Sequence, residues 1–144
     1  MLDWPDIIYR FGAAMLIGSS IGIYLELHQK PTGMRTLGLV SLASAVAVLA
    51  VAAVSKNPDA DASRVIQGVM TGVGFLGAGV IVHLGRDGQI VHGLSTAATI
   101  WITASLGVLC GLAAWRLLAV AFVLTVLLLF AGGAIENWLQ RSRL

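Results

Sequence analysis

Five apolar stretches, each long enough to cross a bilayer, constrain the fold of this chain more than any other feature of its sequence. Short polar links separate them, and they cover residues 7–25, 37–54, 65–84, 94–112 and 115–135. A helix needs ~20 apolar residues to span the hydrocarbon core of a membrane. The sequence therefore predicts an all-α fold, a polytopic membrane helix bundle with about five transmembrane helices.

The composition supports a membrane protein with little mass outside the bilayer. Of the 144 residues, 58% are hydrophobic and 11% are charged, whereas about 25% of a soluble domain is charged. We expect one transmembrane domain over residues 1–144, without a soluble C-terminal domain. Asp3 and Asp6 stand where a secretory signal would be basic, so the first span is expected to remain in the mature protein. The net charge of +2 is spread over the links, which argues against a nucleic-acid partner.

The third stretch carries five glycines, although glycine is less favourable than alanine in a helix by about 1 kcal/mol. In lipid, small residues allow helix backbones to approach closely. At about 100° per residue, Gly68, Gly72 and Gly79 share one face, and Gly74 and Gly77 lie on the other side. We therefore predict that the third helix is packed centrally, with neighbours on two faces. A flexible glycine-rich loop is the alternative.

The first span has a second small-residue ladder and a charge near each end. Ala14, Gly18 and Gly22 follow one another at intervals of four, which is typical of a helix-contact face. Arg10 and Glu26 lie roughly 24 Å apart along the axis and cannot pair with each other. Each either extends to the membrane interface or pairs with another span. The predicted helix-packing glycines are Gly18, Gly22, Gly72, Gly74, Gly77 and Gly79.

Charged and hydroxyl side chains near one short loop suggest a polar pocket. Glu26 and Arg35 bracket the link between the first two spans, so we predict that they lie within ion-pair reach of each other or of Thr36 and Ser95. Hydroxyls also follow one face of the fourth span; they either bond to carbonyls and neighbouring helices or line a polar path. The pocket or ion-pair candidates are Arg10, Glu26, Arg35, Thr36, Ser95, Thr96 and Thr99.

Other polar residues give weaker indications. Asn57, Asp59 and Asp61 offer oxygen ligands to a hard cation, but a turn in which Asp61 or Ser63 caps the third helix is the more ordinary explanation. The histidines lie near loops without metal-ligand spacing, and no nucleophile stands with a base. We expect no catalytic residue, no metal-ligand set and no cofactor, with Mg²⁺ entering only as a ligand or signal.

Two residues within the apolar stretches, Cys110 and Trp101, are predicted to pack against other helices. Cys110, the single cysteine, is expected to be a small core residue and rules out an intrachain disulfide. Trp101 lies too deep for an interfacial anchor and is predicted to be a packing ring.

The distribution of Lys and Arg predicts the orientation in the membrane. One side carries Lys30, Arg35, Arg86, Arg141 and Arg143, and the other carries Arg10, Lys56, Arg64 and Arg116. The excess of one positive charge places the C-terminus in the cytoplasm and the N-terminus outside.

Four stretches of the chain resemble the membrane domain of the MgtC/SapB family of bacterial inner-membrane proteins. They are the first span from Arg10 to Glu26, Gly33-Met34-Arg35-Thr36, the run from Gly72 to Ile81, and the run from Gly93 to Trp101. The resemblance also implies five spans. It departs from the family pattern at Tyr24-Leu25, where a charged pair is common, at His92, where a basic residue is expected, and in stopping at Leu144, as a short form would.

The resemblance implies a role in adaptation to low magnesium and, in pathogens, in survival inside host cells. For some members it implies inhibition of the membrane ATP synthase by direct contact. We therefore expect a non-catalytic regulator that contacts other membrane proteins, with a homodimer as the expected assembly. The alternative is a magnesium or other cation transporter or channel; against it, no carboxylate lies at mid-membrane.

Overall fold

Five α-helices make up the described part of the chain. The computed structural model describes residues 3–84 and 93–141, and the side chains of 3–57, 60–81 and 93–132. The helices are α1 (Trp4–Leu27), α2 (Met34–Val54), α3 (Pro58–Leu84), α4 (Leu94–Gly111) and α5 (Trp115–Arg141). All five are long and apolar enough to cross a membrane. The prediction of an all-α membrane helix bundle is confirmed.

Two of the short connections begin with the same helix ending. Gln29 after α1 and Ala113 after α4 both adopt φ 54°. A residue in this left-handed conformation allows the backbone N–H of the following residue to donate to a carbonyl in the last turn of the helix. Lys30 N–H donates to Leu25 O and Ala114 N–H donates to Leu109 O, both at 3.0 Å. The chain therefore reverses direction within a few residues at each place, which brings α1 against α2 and α4 against α5.

The central helix of the bundle is α4, because it packs against each of the other four helices. In its span 56% of the residues are buried, against 11% of the α3 span. The prediction that the glycine-rich third helix is packed centrally is therefore wrong. Glycines permit close contact but do not specify a partner, and the main contacts of α3 in the described chain are with α2 and α4, along the side that includes Val73.

The first two helices cross with their backbones in contact. A Cβ placed on Gly18 would collide with the carbonyl oxygen of Leu37, and one on Gly22 would lie 2.5 Å from Met34 Cα. Any larger residue at either position would push α1 and α2 apart. The α1 ladder therefore forms the contact face that its spacing predicts.

Two glycines of α4 also meet the backbone of α2. A Cβ on Gly107 would collide with the carbonyl of Ser41, and a Cβ on Gly111 would lie 2.7 Å from the carbonyl oxygen of Ala45. These two glycines were not among the predicted helix-packing glycines. Helices α1, α2 and α4 are thus in mutual contact, and this three-helix crossing is the core of the fold.

The α3 glycines make far looser contacts. A Cβ on Gly72, Gly74 or Gly79 would meet no atom within 4 Å, and one on Gly77 would sit at an ordinary 3.4 Å from Ala97 Cβ. The prediction that Gly72, Gly74 and Gly79 pack against other helices of the same chain is therefore wrong.

The predictions for Cys110 and Trp101, which lie within the apolar stretches, have opposite outcomes. Cys110 is fully buried in the core cluster, as predicted. Trp101 is 48% exposed on the outside of α4 and is not the packing ring that its depth indicated. The error arises because α4 is central without being enclosed, so one edge of it still faces outward.

Candidate functional site at the helix ends

The carboxylate of Glu26 meets the first turn of α2. Its Oε2 accepts a hydrogen bond from the backbone N–H of Met34 at 3.2 Å. A Cβ on Gly33 would lie 2.8 Å from the same oxygen, so glycine leaves room for the carboxylate to approach. The first N–H groups of a helix lack intrahelical partners and carry partial positive charge. Glu26 therefore caps α2 across the short loop.

Arg35 is not part of this contact. Its side chain is exposed, as is that of Thr36, and the single ion pair among the described side chains (3–57, 60–81 and 93–132) joins Asp6 to Arg10. The predicted ion pair between Glu26 and Arg35 is therefore not formed. The two ends of the loop do meet, but the Glu26 carboxylate accepts a hydrogen bond from the backbone N–H of Met34 and does not pair with the Arg35 guanidinium.

The side chain of Arg10 forms a hydrogen bond between the start of α1 and the end of α4. Its Nη2 lies 2.7 Å from Asp6 Oδ2, one turn earlier on the same helix, and its Nη1 donates to the carbonyl of Gly111 at 2.9 Å. The guanidinium thus satisfies a carbonyl at the negative end of α4, where a cation is favoured. Of the two alternatives, pairing with another span describes Arg10. The spacing of four from Asp6 could have revealed the first contact.

The hydroxyls of α4 bond to their own helix. Thr99 donates to the carbonyl of Ser95 at 2.8 Å and Thr103 donates to that of Thr99 at 2.7 Å. Thr96 and Thr99 are buried, whereas Ser95 is exposed. The seven candidates do not converge on one pocket. Arg10 and Glu26 lie at opposite ends of α1, and the Thr99 hydroxyl donates to a backbone carbonyl of its own helix. Of the two alternatives for this stripe, bonding back to carbonyls is the one observed for Thr99 and Thr103.

The turn before α3 is closed by a hydroxyl and a carboxylate. Ser55 Oγ donates to Asp61 Oδ2 at 2.5 Å and accepts the N–H of Asn57 at 2.9 Å. The side chain of Asp59 lies outside the described residues, as do those of His83 and His92 and the basic residues Arg86, Arg141 and Arg143. Asp61 is thus engaged by a hydroxyl of the turn and lies within α3, so it is not the capping residue that the more ordinary of the two explanations predicts.

An aromatic cluster joins α1 to α5 near the end of α1. The hydroxyl of Tyr24 donates to the carbonyl of Leu129 at 2.7 Å, and its ring lies 4.8 Å from that of Phe130 and 4.2 Å from that of His28. Beside it runs an apolar groove between the two helices, lined by residues that include Ile21 and Phe122. Tyr24 is the one described residue whose side chain hydrogen-bonds α1 to α5.

We expect Tyr24→Phe to loosen α5 without unfolding the other four helices. The ring and its packing are kept, and only a hydrogen bond worth about 0.6 kcal/mol in a membrane protein is lost. Proteolysis of the purified protein in detergent should then cut α5 faster than in the wild type. The matched control is Tyr9→Phe, which alters an exposed ring that touches Trp115 edge-on. Equal cleavage of both variants would contradict this role for the hydroxyl.

Comparison with known proteins places the chain in a family. The MgtC family model matches residues 11–138. Protein SrpB of Synechococcus elongatus is 39% identical over 97% of this chain and 83% of its own length. Protein MgtC of Salmonella typhimurium is also 39% identical, over 98% of this chain. The chain spans 57% of the length of that MgtC protein, and no solved structure matches it. With five apolar helices and this match over most of its length, the chain is a multi-pass membrane protein that belongs to the MgtC family.

Proposed function

We propose that this protein is a non-catalytic regulator of the bacterial inner membrane that acts in adaptation to low magnesium by contacting other membrane proteins. The closed interior of the bundle carries this proposal. At Gly18 and Gly107, α1 and α4 both meet α2 at Ser41, and α1 and α4 also pack against each other. Close backbone contact among these three helices leaves little space between them in the described part of the chain, which supports a protein without an aqueous path there.

The placement of polar groups supports the same proposal. A route for a divalent cation would be expected to use carboxylates at membrane depth. The described carboxylates that have partners lie at helix ends, where Asp6 pairs with Arg10, Glu26 caps α2 and Asp61 bonds to Ser55. Five hydroxyls within the spans donate to carbonyls of their own helices, those of Ser44, Thr71, Thr99, Thr103 and Thr125. Mg²⁺ is accordingly proposed as the signal to which the system responds, and not as cargo.

The membrane ATP synthase is the partner that we propose to test first, because the family resemblance implies it for some members. The relative named MgtC extends well beyond the length of this chain, so the activity of the whole relative is not transferred. We propose that the N-terminus lies outside and the C-terminus in the cytoplasm, following the distribution of positive charges.

A flux assay distinguishes the regulator from the transporter. Proteoliposomes with the purified protein and an internal Mg²⁺-sensitive dye should take up Mg²⁺ no faster than protein-free liposomes. Uptake that saturates with Mg²⁺ and is lost in Glu26→Gln or Arg35→Ala would overturn the proposal and favour transport. Lys56→Ala, an exposed change in a different loop, is the matched control.

A second assay tests the proposed contact. Inverted membrane vesicles that contain the protein are expected to show slower ATP-driven proton pumping than vesicles without it, at equal amounts of ATP synthase. Unchanged pumping would remove ATP synthase as the partner.

A further inference from the structure

The apolar groove between α1 and α5 lies where the two helices run side by side without close packing of their backbones. Tyr9 and Trp115 meet edge-on near the start of both helices, with ring centroids 4.9 Å apart. Tyr24 contacts Leu129 and Phe130 near the other end of α1. Beside this second contact, the side chains of the two helices leave a space of about 170 Å³. The groove thus has fixed walls and belongs to the membrane-spanning part of both helices.

The walls of the groove are suited to a hydrocarbon chain. They are formed by Ser20, Ile21, Tyr24, Phe122, Val126, Leu129 and Phe130. Both wall hydroxyls are already bonded, that of Ser20 to Ile17 O at 2.8 Å and that of Tyr24 to Leu129 O at 2.7 Å. The volume is below the roughly 300–1,000 Å³ of pockets for drug-sized ligands, so the groove fits one slender, flexible chain. At this depth of a bilayer, the available molecules of that shape are lipid acyl chains.

Two basic residues lie at the end of the groove. His28 follows Tyr24 by one turn, with their rings 4.2 Å apart, and its Nδ1 bonds Tyr24 O at 2.8 Å. The backbone N–H of Lys30 bonds Leu25 O, which holds Lys30 at the last turn of α1. The side chains of His28 and Lys30 are exposed, and neither forms an ion pair among the described side chains. Positive charge is therefore available where the groove meets the membrane surface.

No described carboxylate at this end of the groove opposes a negative charge there. Glu26 points about 160° away from Tyr24 around α1 and caps α2. The described side chains of α5, residues 115–132, include no Asp or Glu. Basic sites between membrane helices on the cytoplasmic side are suited to anionic lipid headgroups. The link that contains Lys30 is on the side that we propose to be cytoplasmic.

We propose that the groove binds one acyl chain of an anionic glycerophospholipid from the cytoplasmic leaflet, with the lipid phosphate beside Lys30 and His28. The acyl chain fills the space between α1 and α5, where their own side chains do not meet. The lipid therefore acts together with the Tyr24 bond in holding α5 against the bundle. This inference does not depend on the regulatory role, because the groove is remote from the three-helix crossing and from the Glu26 cap.

Native mass spectrometry of the full chain, freed of lipid in detergent, tests the site with two probes. They are palmitoyl-oleoyl phosphatidylglycerol and palmitoyl-oleoyl phosphatidylcholine, which have the same acyl chains. One phosphatidylglycerol per chain is expected, bound about fivefold more tightly than phosphatidylcholine, as one basic residue near a membrane surface provides. Excess glycerol 3-phosphate should not displace it, since the acyl chain supplies much of the binding. Equal affinity for both lipids, displacement by glycerol phosphate, or a second copy of the chain bound in place of lipid would overturn the proposal.

A pair of matched variants locates the acyl chain. Val126→Phe fills the groove and is expected to lower the affinity for phosphatidylglycerol about tenfold. Val123→Phe makes the same change on the outward side of α5, where Val123 is 54% exposed, and should have no effect. Melting without lipid checks that both variants fold, and Ser20→Leu, which fills the groove from α1, decides the matter if Val126→Phe does not. Groove-filling variants that bind phosphatidylglycerol like Val123→Phe would show that the groove is not the site.

A second pair of variants tests the headgroup contact. Lys30→Gln is expected to reduce the affinity for phosphatidylglycerol about fivefold, to the level of phosphatidylcholine. Lys56→Gln removes an equally exposed lysine from the link before α3 and should leave the affinity unchanged. A Lys30→Gln protein that still prefers phosphatidylglycerol as the unaltered chain does would refute the proposed position of the phosphate.

Discussion

Gly107→Ala is expected to lower the melting temperature in detergent by about 10 °C, whereas Gly74→Ala is expected to leave it unchanged or raise it slightly. At Gly107 the new methyl group would collide with the carbonyl of Ser41, which is backbone and fully buried. Overpacking of this kind costs about 3 kcal/mol when the neighbour cannot rearrange, and each kcal/mol shifts the melting temperature by a few degrees. At Gly74 the methyl group meets no atom within 4 Å, so only the better helix propensity of alanine remains.

The two substitutions are chemically identical and differ only in position, so each controls for the other. Melting is followed by size-exclusion chromatography of heated samples. The sequence pattern alone favoured the opposite order, because it placed the glycine-rich α3 at the centre. If Gly74→Ala is the less stable protein, α4 is not the central helix and the description of the three-helix crossing fails.

Arg10→Met is expected to destabilise the protein by about 2 kcal/mol, the second largest effect. The substitution keeps most of the aliphatic length but removes the guanidinium that bonds both Gly111 and Asp6. Hydrogen bonds to a charged group contribute about 1.5–3 kcal/mol when partly buried, and the Arg10 side chain is 17% exposed. Asp6→Asn is expected to cost well under 1 kcal/mol, because that carboxylate is 38% exposed and pairs within its own helix.

The control for Arg10 is Arg116→Met, which removes an exposed arginine near the start of α5. Arg10→Lys should recover only part of the loss, since an ammonium group cannot span both acceptors as the planar guanidinium does. Equal melting temperatures for Arg10→Met and Arg116→Met would show that the contact with Gly111 contributes nothing.

The sequence predicts the number and approximate bounds of the helices because a span must match the thickness of the bilayer. It also predicts the contact face of α1, where Gly18 and Gly22 repeat at an interval of four. The sequence does not show which of several small-residue helix faces is at the centre of the bundle. Small residues indicate only that another helix can approach that face closely. A stronger pattern lay in α4, where Thr99, Thr103, Gly107 and Gly111 continue the same interval along a whole helix.

The contacts at the helix ends were less predictable because their partners are backbone atoms. Glu26 bonds the N–H of Met34 and Arg10 bonds the carbonyl of Gly111, and neither group leaves a mark in the sequence. Charge complementarity therefore favoured Arg35 as the partner of Glu26, whereas the unpaired donors of the α2 terminus take the carboxylate. For the same reason, the predicted pocket was a set of plausible side chains that the fold keeps apart.

The bond between Arg10 and Gly111 also bears on the order of events during biosynthesis. These residues are 101 positions apart in the chain, so α1 leaves the ribosome long before the carbonyl that will receive its arginine exists. Until α4 is inserted, the guanidinium must stay among lipid headgroups and water with Asp6 alone. The first segment to be made therefore cannot reach its final depth until the fourth has arrived, and a nascent chain halted after α3 would hold α1 in a shallower position.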